Sequence, residues 1–229
     1  MNRYRNKHRS GLLKGFTLIE MLVVIAIIGA LLAVAIPSFN TLSGQSMKQA
    51  VGPLMSTMRL ARQYAITKRQ YVWVVFPGTN FPSYTGSEVN MALRSYAVLA
   101  GDANGPTAYV SEWKYLPDGV TFDTRIKGKK WNILDSYSAD AKTAYYPFPS
   151  EGDERRRIPA ILFKPNGRAY SYGSDNWTDF GTPRIGVTRG ILNVNTNNGT
   201  IVSHVIPGDM PSITIRIRAK TGMFDVQGS

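Results

Sequence analysis

The chain has 229 residues, no cysteine, and 27 Lys and Arg against 15 Asp and Glu, a formal net charge of +12. Without a thiol it can form neither a disulfide nor a thiolate metal centre, and its length suits one apolar segment plus one globular domain. The basic excess favours an anionic partner, whether nucleic acid, lipid headgroups or an acidic protein, although surface charge also serves solubility.

Met1 to Gly15 holds Arg3, Arg5, Lys7, Arg9 and Lys14 and no acid. Phe16 to Ile36 then runs apolar, with Glu20 as its one ionisable side chain. At about 1.5 Å per residue this run makes about 31 Å of helix, enough to cross a bilayer. The next charge is Lys48. That asymmetry places the N-terminus in the cytoplasm and the rest across the membrane. A secretory signal would have a shorter apolar core followed by its cleavage site. Here the Gly-Phe junction precedes the run, so cutting there leaves the span on the mature chain. Glu20 is the anomaly, because a carboxylate in a spanning helix is a functional-site hypothesis by default. Either it sits near the end of the span and reaches the headgroups, or it waits for a cation that arrives later.

The stretch Gly15-Phe16-Thr17-Leu18-Ile19-Glu20-Met21-Leu22-Val23-Val24-Ile25-Ala26-Ile27-Ile28-Gly29 resembles the prepilin N-terminus of type IV pilins and type II secretion pseudopilins. The resemblance implies that a membrane prepilin peptidase cuts between Gly15 and Phe16 and methylates the new amine of Phe16. It implies that Glu20, fifth residue of the mature chain, pairs with the N-terminal amine of a neighbouring subunit, and that Pro37 kinks the helix. The implied partners are other pilins or pseudopilins, the peptidase, an inner-membrane assembly platform and membrane lipid. The implied location is the bacterial inner membrane, single-pass, with the C-terminal domain in the periplasm and later in a filament. No cofactor is implied. Physical chemistry agrees with these roles. Gly15 offers a protease an unobstructed backbone. The Phe16 amine and the Glu20 carboxylate are each costly in lipid alone and tolerable as a pair. Pro37 removes one helix hydrogen bond, which favours a bend. Loss of the five leader cations would leave 22 basic against 15 acidic residues, or +7, and would remove His8.

Past Pro37, Met47, Val51, Leu54, Met58, Ala61 and Ala65 recur at spacings of 4, 3, 4, 3 and 4. That pattern predicts an amphipathic continuation over residues 37–69, packed on its own domain rather than on a partner. Gly52-Pro53 should kink or loosen it. The whole helix, Phe16 to about Thr67, would be near 78 Å long, about 1.5 Å per residue.

Residues 70–229 read as a β-rich domain. Strand candidates are Tyr71–Phe76, Leu93–Leu99, Tyr109–Tyr115, Val120–Phe122, Ile161–Phe163 and Arg168–Tyr172, with a turn at Pro165-Asn166-Gly167. Ile213, Ile215 and Ile217 alternate with Thr214, Arg216 and Arg218 in a half-buried strand, and Lys220-Thr221-Gly222 turns into Met223–Val226. Lys127–Arg157 and Tyr172–Pro211 look like polar, loop-rich insertions, the second with strands around Ile185-Gly186-Val187 and Ile201–Val205. The sequons at Asn176 and Asn198 are chance matches in a bacterial-type chain. The expected fold class is α+β: a long N-terminal helix, its first half membrane-spanning, on a mainly antiparallel β domain. With the resemblance, that is a pilin-like architecture.

The order of Arg62–Arg69, Leu116-Pro117-Asp118-Gly119-Val120-Thr121-Phe122, Ile161-Leu162-Phe163-Lys164-Pro165-Asn166-Gly167 and Ile213–Gly222 is similar to H-type minor pseudopilins and FimT-like minor pilins. Length and the two insertions depart from that pattern.

No catalytic constellation is present in the sequence: no paired nucleophile and base, no phosphate loop, no metal-ligand cluster. Asp102, Asp118, Asp135 and Asp140 lie in turn-like contexts where Asp is common for backbone reasons, with calcium as the minor alternative. His204 alone cannot make a zinc site and reads as a solvated strand or loop residue. Basic clusters are the remaining signal: Lys127-Gly128-Lys129-Lys130-Trp131, Arg155-Arg156-Arg157, and Arg216, Arg218 and Lys220. Cations beside aromatic rings suit nucleic acids, and some FimT-like minor pilins bind DNA. The alternative is solvated loops paired with acids such as Asp153 and Glu154. The expected function is a non-enzymatic minor pilin or pseudopilin of a secretion filament acting in protein secretion, with DNA capture for uptake as the alternative.

Overall fold

A computed structural model describes residues 17–78, 86–125, 134, 143–172, 177–178, 183–195, 200–208 and 210–228. The chain forms two compact units, Met1–Gly44 and Gln45–Ser229, and helix α1 (Leu18–Lys68) contributes to both.

In the first unit α1 opens at Thr17. The Thr17 hydroxyl accepts from Glu20 N–H at 3.2 Å, and Glu20 Oε2 accepts from Thr17 N–H at 2.8 Å. This reciprocal arrangement is a capping box, and it satisfies backbone donors that a helix start leaves open. Helical structure continues through Pro37.

In the second unit the helix also continues through Gly52-Pro53, so the expected loosening there is not seen as a break. Both residues are exposed, as is Gln49, whose carbonyl Pro53 leaves without a donor. Water can serve that carbonyl, which makes the proline tolerable. The helix ends where Arg69 takes a left-handed backbone, φ 53°, and Gln70 N–H donates to the Ala65 carbonyl at 3.2 Å.

Strand β1 (Tyr71–Val75) follows. After a 3-10 turn at Gly86–Met91 come β2 (Ser95–Asp102), β3 (Gly105–Tyr109), β4 (Lys114–Tyr115) and β5 (Val120–Asp123). Then come β6 (Thr143–Pro147), β7 (Arg155–Phe163), β8 (Ala169–Tyr172) and β9 (Trp177–Thr178). β10 (Arg184–Arg189), β11 (Ile191–Asn195), β12 (Thr200–Val205), β13 (Ser212–Arg218) and β14 (Met223–Gly228) complete the described strands. The larger sheet runs β3-β2-β1-β7-β8-β9, with β4 on β2 and β6 on β7. A four-stranded sheet runs β14-β13-β10-β5, and β11 pairs with β12. All pairings are antiparallel. β1 is central: Val74 stands opposite Val98 of β2 and Ile161 of β7.

Strand alternation sorts the apolar side chains into two cores. Val72, Val74 and Phe76 share one core with Tyr96 and Val98, with Ile161 and Phe163, and with Ile185, Ile215 and Ile217 of the smaller sheet. The helical face Val51, Leu54, Met58, Ala61 and Ala65 fills the same core, as its spacing predicts. Each fully buried Leu or Met there contributes about 1.5–3 kcal/mol. Trp73, Val75, Leu99, Ile158 and Leu162 point the other way, into a second core with Tyr146 and Phe148. Two backbone bridges join the sheets: Phe122 N–H donates to the Leu93 carbonyl at 2.8 Å, and Ala169 N–H to the Ala219 carbonyl at 2.9 Å. Leu93 makes its bridge from a left-handed backbone, φ 52°, unusual for a buried bulky residue.

Several sequence expectations need correction. The candidate Tyr109–Tyr115 is not one strand: β3 ends at Tyr109 and β4 begins at Lys114. Tyr109 still pairs with Leu99 of β2, after which the chain leaves the ladder, and the Tyr109 and Trp113 rings pack with centroids 5.9 Å apart. β2 starts at Ser95, not Leu93, because Leu93 turns the chain. The segment Lys127–Arg157 is not only loop, since β6 and the first residues of β7 lie within it. Its Arg-rich composition hid the strand. β11, inside the other supposed insertion, also went unread.

Candidate functional site

Gly15 and Phe16 lie outside the described residues. The first described residue, Thr17, is the N-cap, and Glu20 is its partner. Thr17 Oγ1 also donates to Glu20 Oε2 at 2.9 Å, so the carboxylate is oriented back over the helix start. Beyond it Leu18, Ile19, Met21, Leu22, Val23, Val24, Ile25, Ile27, Ile28 and Leu31 are all exposed, Leu18 at 83 %. A helix apolar on every side is a helix that something apolar must surround. Among the described residues no helix is long and apolar enough to cross a membrane. Side chains of the apolar run are described only to Leu31, whereas the run itself continues to Ile36. The side chain of Pro37 lies outside the description.

The basic residues fall into separate settings. β7 puts Arg155 and Arg157 on one face and Arg156 on the other. Arg156 is only 16 % exposed, and its guanidinium lies 3.5 Å from Glu88 Oε2 and 3.9 Å from Glu154 Oε2. Arg155 stacks over the Tyr145 ring at 5.9 Å. The run is therefore divided by its strand rather than presented as one patch. Lys127, Lys129, Lys130 and Trp131 lie outside the described residues. Arg216 and Arg218 do share the outer face of β13, and the register adds a residue that the sequence reading missed: Arg184 of β10 stands directly opposite Arg216. On the other side Arg216 faces Asp225 of β14, but no ion pair forms between any of these. The Nε atoms of Arg184 and Arg216 are shielded from solvent and have no hydrogen-bond partner. Nothing in the sequence brings positions 184 and 216 together; only strand register does.

Asp102 and Asp118 are engaged locally. Asp102 Oδ1 accepts from Asn104 N–H at 2.7 Å, and Asp118 Oδ1 from Arg94 Nη2 at 2.7 Å. Asp135 and Asp140 lie outside the described residues. Among the described residues no three His, Asp or Glu side chains group as a metal site would require.

His204 is not a solvated residue, as the sequence suggested. It is half-buried on β12, with Nε2 2.9 Å from Thr121 Oγ1 and Nδ1 3.3 Å from Thr124 Oγ1. Burial lowers its pKa, which Asp123 partly offsets by raising it and Arg125 reinforces. Gly190 makes room for this contact, because a Cβ there would lie 2.5 Å from Thr121 Oγ1 and 3.0 Å from His204 Nε2. Beside it, Arg125 holds the buried carboxylate of Asp123 at 3.2 Å and donates to the carbonyls of Pro207, Gly208 and Met210.

One open groove, about 730 Å³, also went unread. One wall is Tyr109 to Trp113, the other the Pro149–Gly152 turn. Hydrogen bonds tie the walls together: Trp113 Nε1 donates to the Pro149 carbonyl at 2.7 Å, and Tyr109 hydroxyl to the Pro147 carbonyl at 2.7 Å. Burial, then the neighbouring Tyr146, Asp153 and Glu151, push the Tyr109 phenol well above its ordinary pKa. The groove is thus aromatic and electronegative, with Glu112 on one wall and Glu151 on the other, both exposed.

Comparison with known proteins identifies the front of the chain. Residues 14–36 match the prokaryotic N-terminal methylation motif. The chain is 32 % identical over 90 residues to a type IV major fimbrial protein of Dichelobacter nodosus, covering 39 % of this chain and 58 % of that protein. It is 46 % identical over 57 residues to a type IV narrow pilus major component of Thermus thermophilus, covering 25 % of this chain and 47 % of that one. It therefore spans about half the length of these curated relatives. Among solved structures, the minor pseudopilin of the type 2 secretion system of Vibrio cholerae aligns with 80 % of this chain and 96 % of its own, at 10 % identity and a TM-score of 0.39.

Proposed function

We propose that this chain, by its N-terminal motif a member of the type IV pilin and pseudopilin superfamily, is a membrane-anchored structural subunit of a filament. Pilins and pseudopilins are structural subunits and not enzymes. The finer reading is a minor subunit of a secretion pseudopilus or type IV pilus, acting in protein secretion. Prepilin peptidase would cut between Gly15 and Phe16 and methylate Phe16, and Phe16 to Ile36 would span the inner membrane. The β domain would then lie in the periplasm, and Pro37 would bend the helix near the membrane surface.

The carrying observation is the combination at the helix start. The motif covers residues 14–36, and every described apolar side chain up to Leu31 is exposed. In that apolar setting Glu20 is the one carboxylate, oriented over the helix start by Thr17. Filament incorporation tests the reading. Glu20→Ala should insert in membranes yet lose to wild type, roughly tenfold or more, in competition for sheared filaments, since a charge pair is lost where water is scarce. Equal incorporation would deny Glu20 a pairing role.

The second reading is DNA capture, favoured by Arg184, Arg216 and Arg218, which share one face of β10 and β13. Phosphate binding would be sequence-independent and fall steeply between about 50 and 200 mM salt. A mobility shift that survives Arg216→Ala with Arg218→Ala would remove those residues from it, whereas the Arg155–Arg157 run is divided between two faces.

A further inference from the structure

We propose that the Tyr109–Trp113 groove seats the Arg184–Arg216 face of a second copy of this chain. This rests on the reading of the chain as a filament subunit, and it names the contact between β domains.

The two surfaces are chemically complementary. Trp113 has committed its indole N–H to the Pro149 carbonyl, so what it presents to the groove is its ring. Tyr109 has likewise committed its hydroxyl. Two aromatic rings with Glu112 and Glu151 on opposing walls suit a guanidinium, which stacks on rings and takes carboxylates through its fork of donors. Among the described residues no Lys or Arg lines the groove. A sugar would need side-chain donors there as well as acceptors. Ser150 spends its hydroxyl hydrogen on Asp153, which leaves Ser111, whose Oγ accepts from Val98 N–H, as a single lining hydroxyl able to donate, fewer than a sugar needs.

The arginines supply the missing half. Arg184 and Arg216 are direct cross-strand neighbours, an arrangement that like charges destabilise. Arg218 follows on the same face, and Asp225 forms no ion pair with them. Among the described residues no carboxylate pairs with this row, which suits it to an outside acid. Tyr, Trp and Arg are also the residues that carry most binding energy in protein interfaces.

The contact cannot form within one chain. Tyr109 and Trp113 pack on the outer core of the larger sheet, the one with Trp73 and Leu99. Arg184 and Arg216 lie on the outer face of the smaller sheet, behind Ile185 and Ile215. The shared core with Leu54 and Met58 separates them. Each copy therefore offers one groove and one row on different faces. A contact of that kind is head-to-tail, and where it does not close into a ring it extends into a filament.

The absence of cysteine makes the test direct. Full-length Val110→Cys and a differently tagged Thr214→Cys are expressed together in cells that assemble filaments, then oxidised. The contact predicts a disulfide between the two variants, and little within either alone. Glu112→Arg with Glu151→Arg in the first chain should cut the cross-link roughly tenfold, the scale expected for close charge pairs across an interface. Arg184→Glu with Arg216→Glu in the second should restore it. Where reversal prevents incorporation, Glu112→Gln with Glu151→Gln decides: a weakened cross-link supports the contact and an undiminished one overturns it. Filaments that contain both cysteine variants without a mixed disulfide overturn the contact and leave the subunit reading intact. Exclusion of both variants, and of wild type, from every filament overturns both. A DNA mobility shift abolished by Arg184→Glu with Arg216→Glu, without any cross-link, assigns the row to nucleic acid instead.

Discussion

His204 shows how a single side chain acquires a role that its neighbours in sequence do not announce. Thr121 and Thr124 lie about eighty positions away, and the contact is close enough that a Cβ on Gly190 would crowd both Thr121 Oγ1 and His204 Nε2. Burial holds the folded pKa below the ordinary 6.5. Protonation therefore favours the unfolded chain. The stability tied to neutral His204 is full above about pH 6.5 and is lost as pH falls through that value towards the lower folded one. Denaturant melts of the protein between about pH 5 and 7 should show this loss, and His204→Gln should flatten it. An unchanged pH profile would mean that the imidazole titrates as though in water.

At the scale of elements, the helix carries the clearest physics. Its buried face is apolar at helical spacing, and Leu54 and Met58 have no exposed surface. Leu54→Asp or Met58→Asp should lower stability by several kcal/mol, because each buries a carboxylate with no partner. A thermal melt unmoved by both substitutions would mean that this face is exposed. That periodicity made the helix readable from sequence, alternation of Ile213, Ile215 and Ile217 with polar residues did the same for β13, and the turn at Lys220-Thr221-Gly222 pointed to β14. β6 and the start of β7 were not, because Arg155-Arg156-Arg157 looks like a solvated run. In the strand, Arg156 turns inward to Glu88, which lies 68 positions earlier. Pairing across such separations, like that of Arg184 with Arg216, is set by register and leaves no local trace. The motif at the front is the opposite case. Its chemistry is local, so Gly15, Phe16 and Glu20 could be singled out from the sequence alone.

For the whole molecule, the two units divide the work. The first exposes an apolar helix that water does not suit, and the second holds both described cores. The account therefore turns on whether the leader is removed and the apolar helix kept. Intact-mass measurement of the membrane-extracted protein decides this. The account predicts a chain lacking residues 1–15, beginning at Phe16 with a methylated amine. A mature protein that begins at Met1, or one cut after Ile36 and released from the membrane, would contradict it.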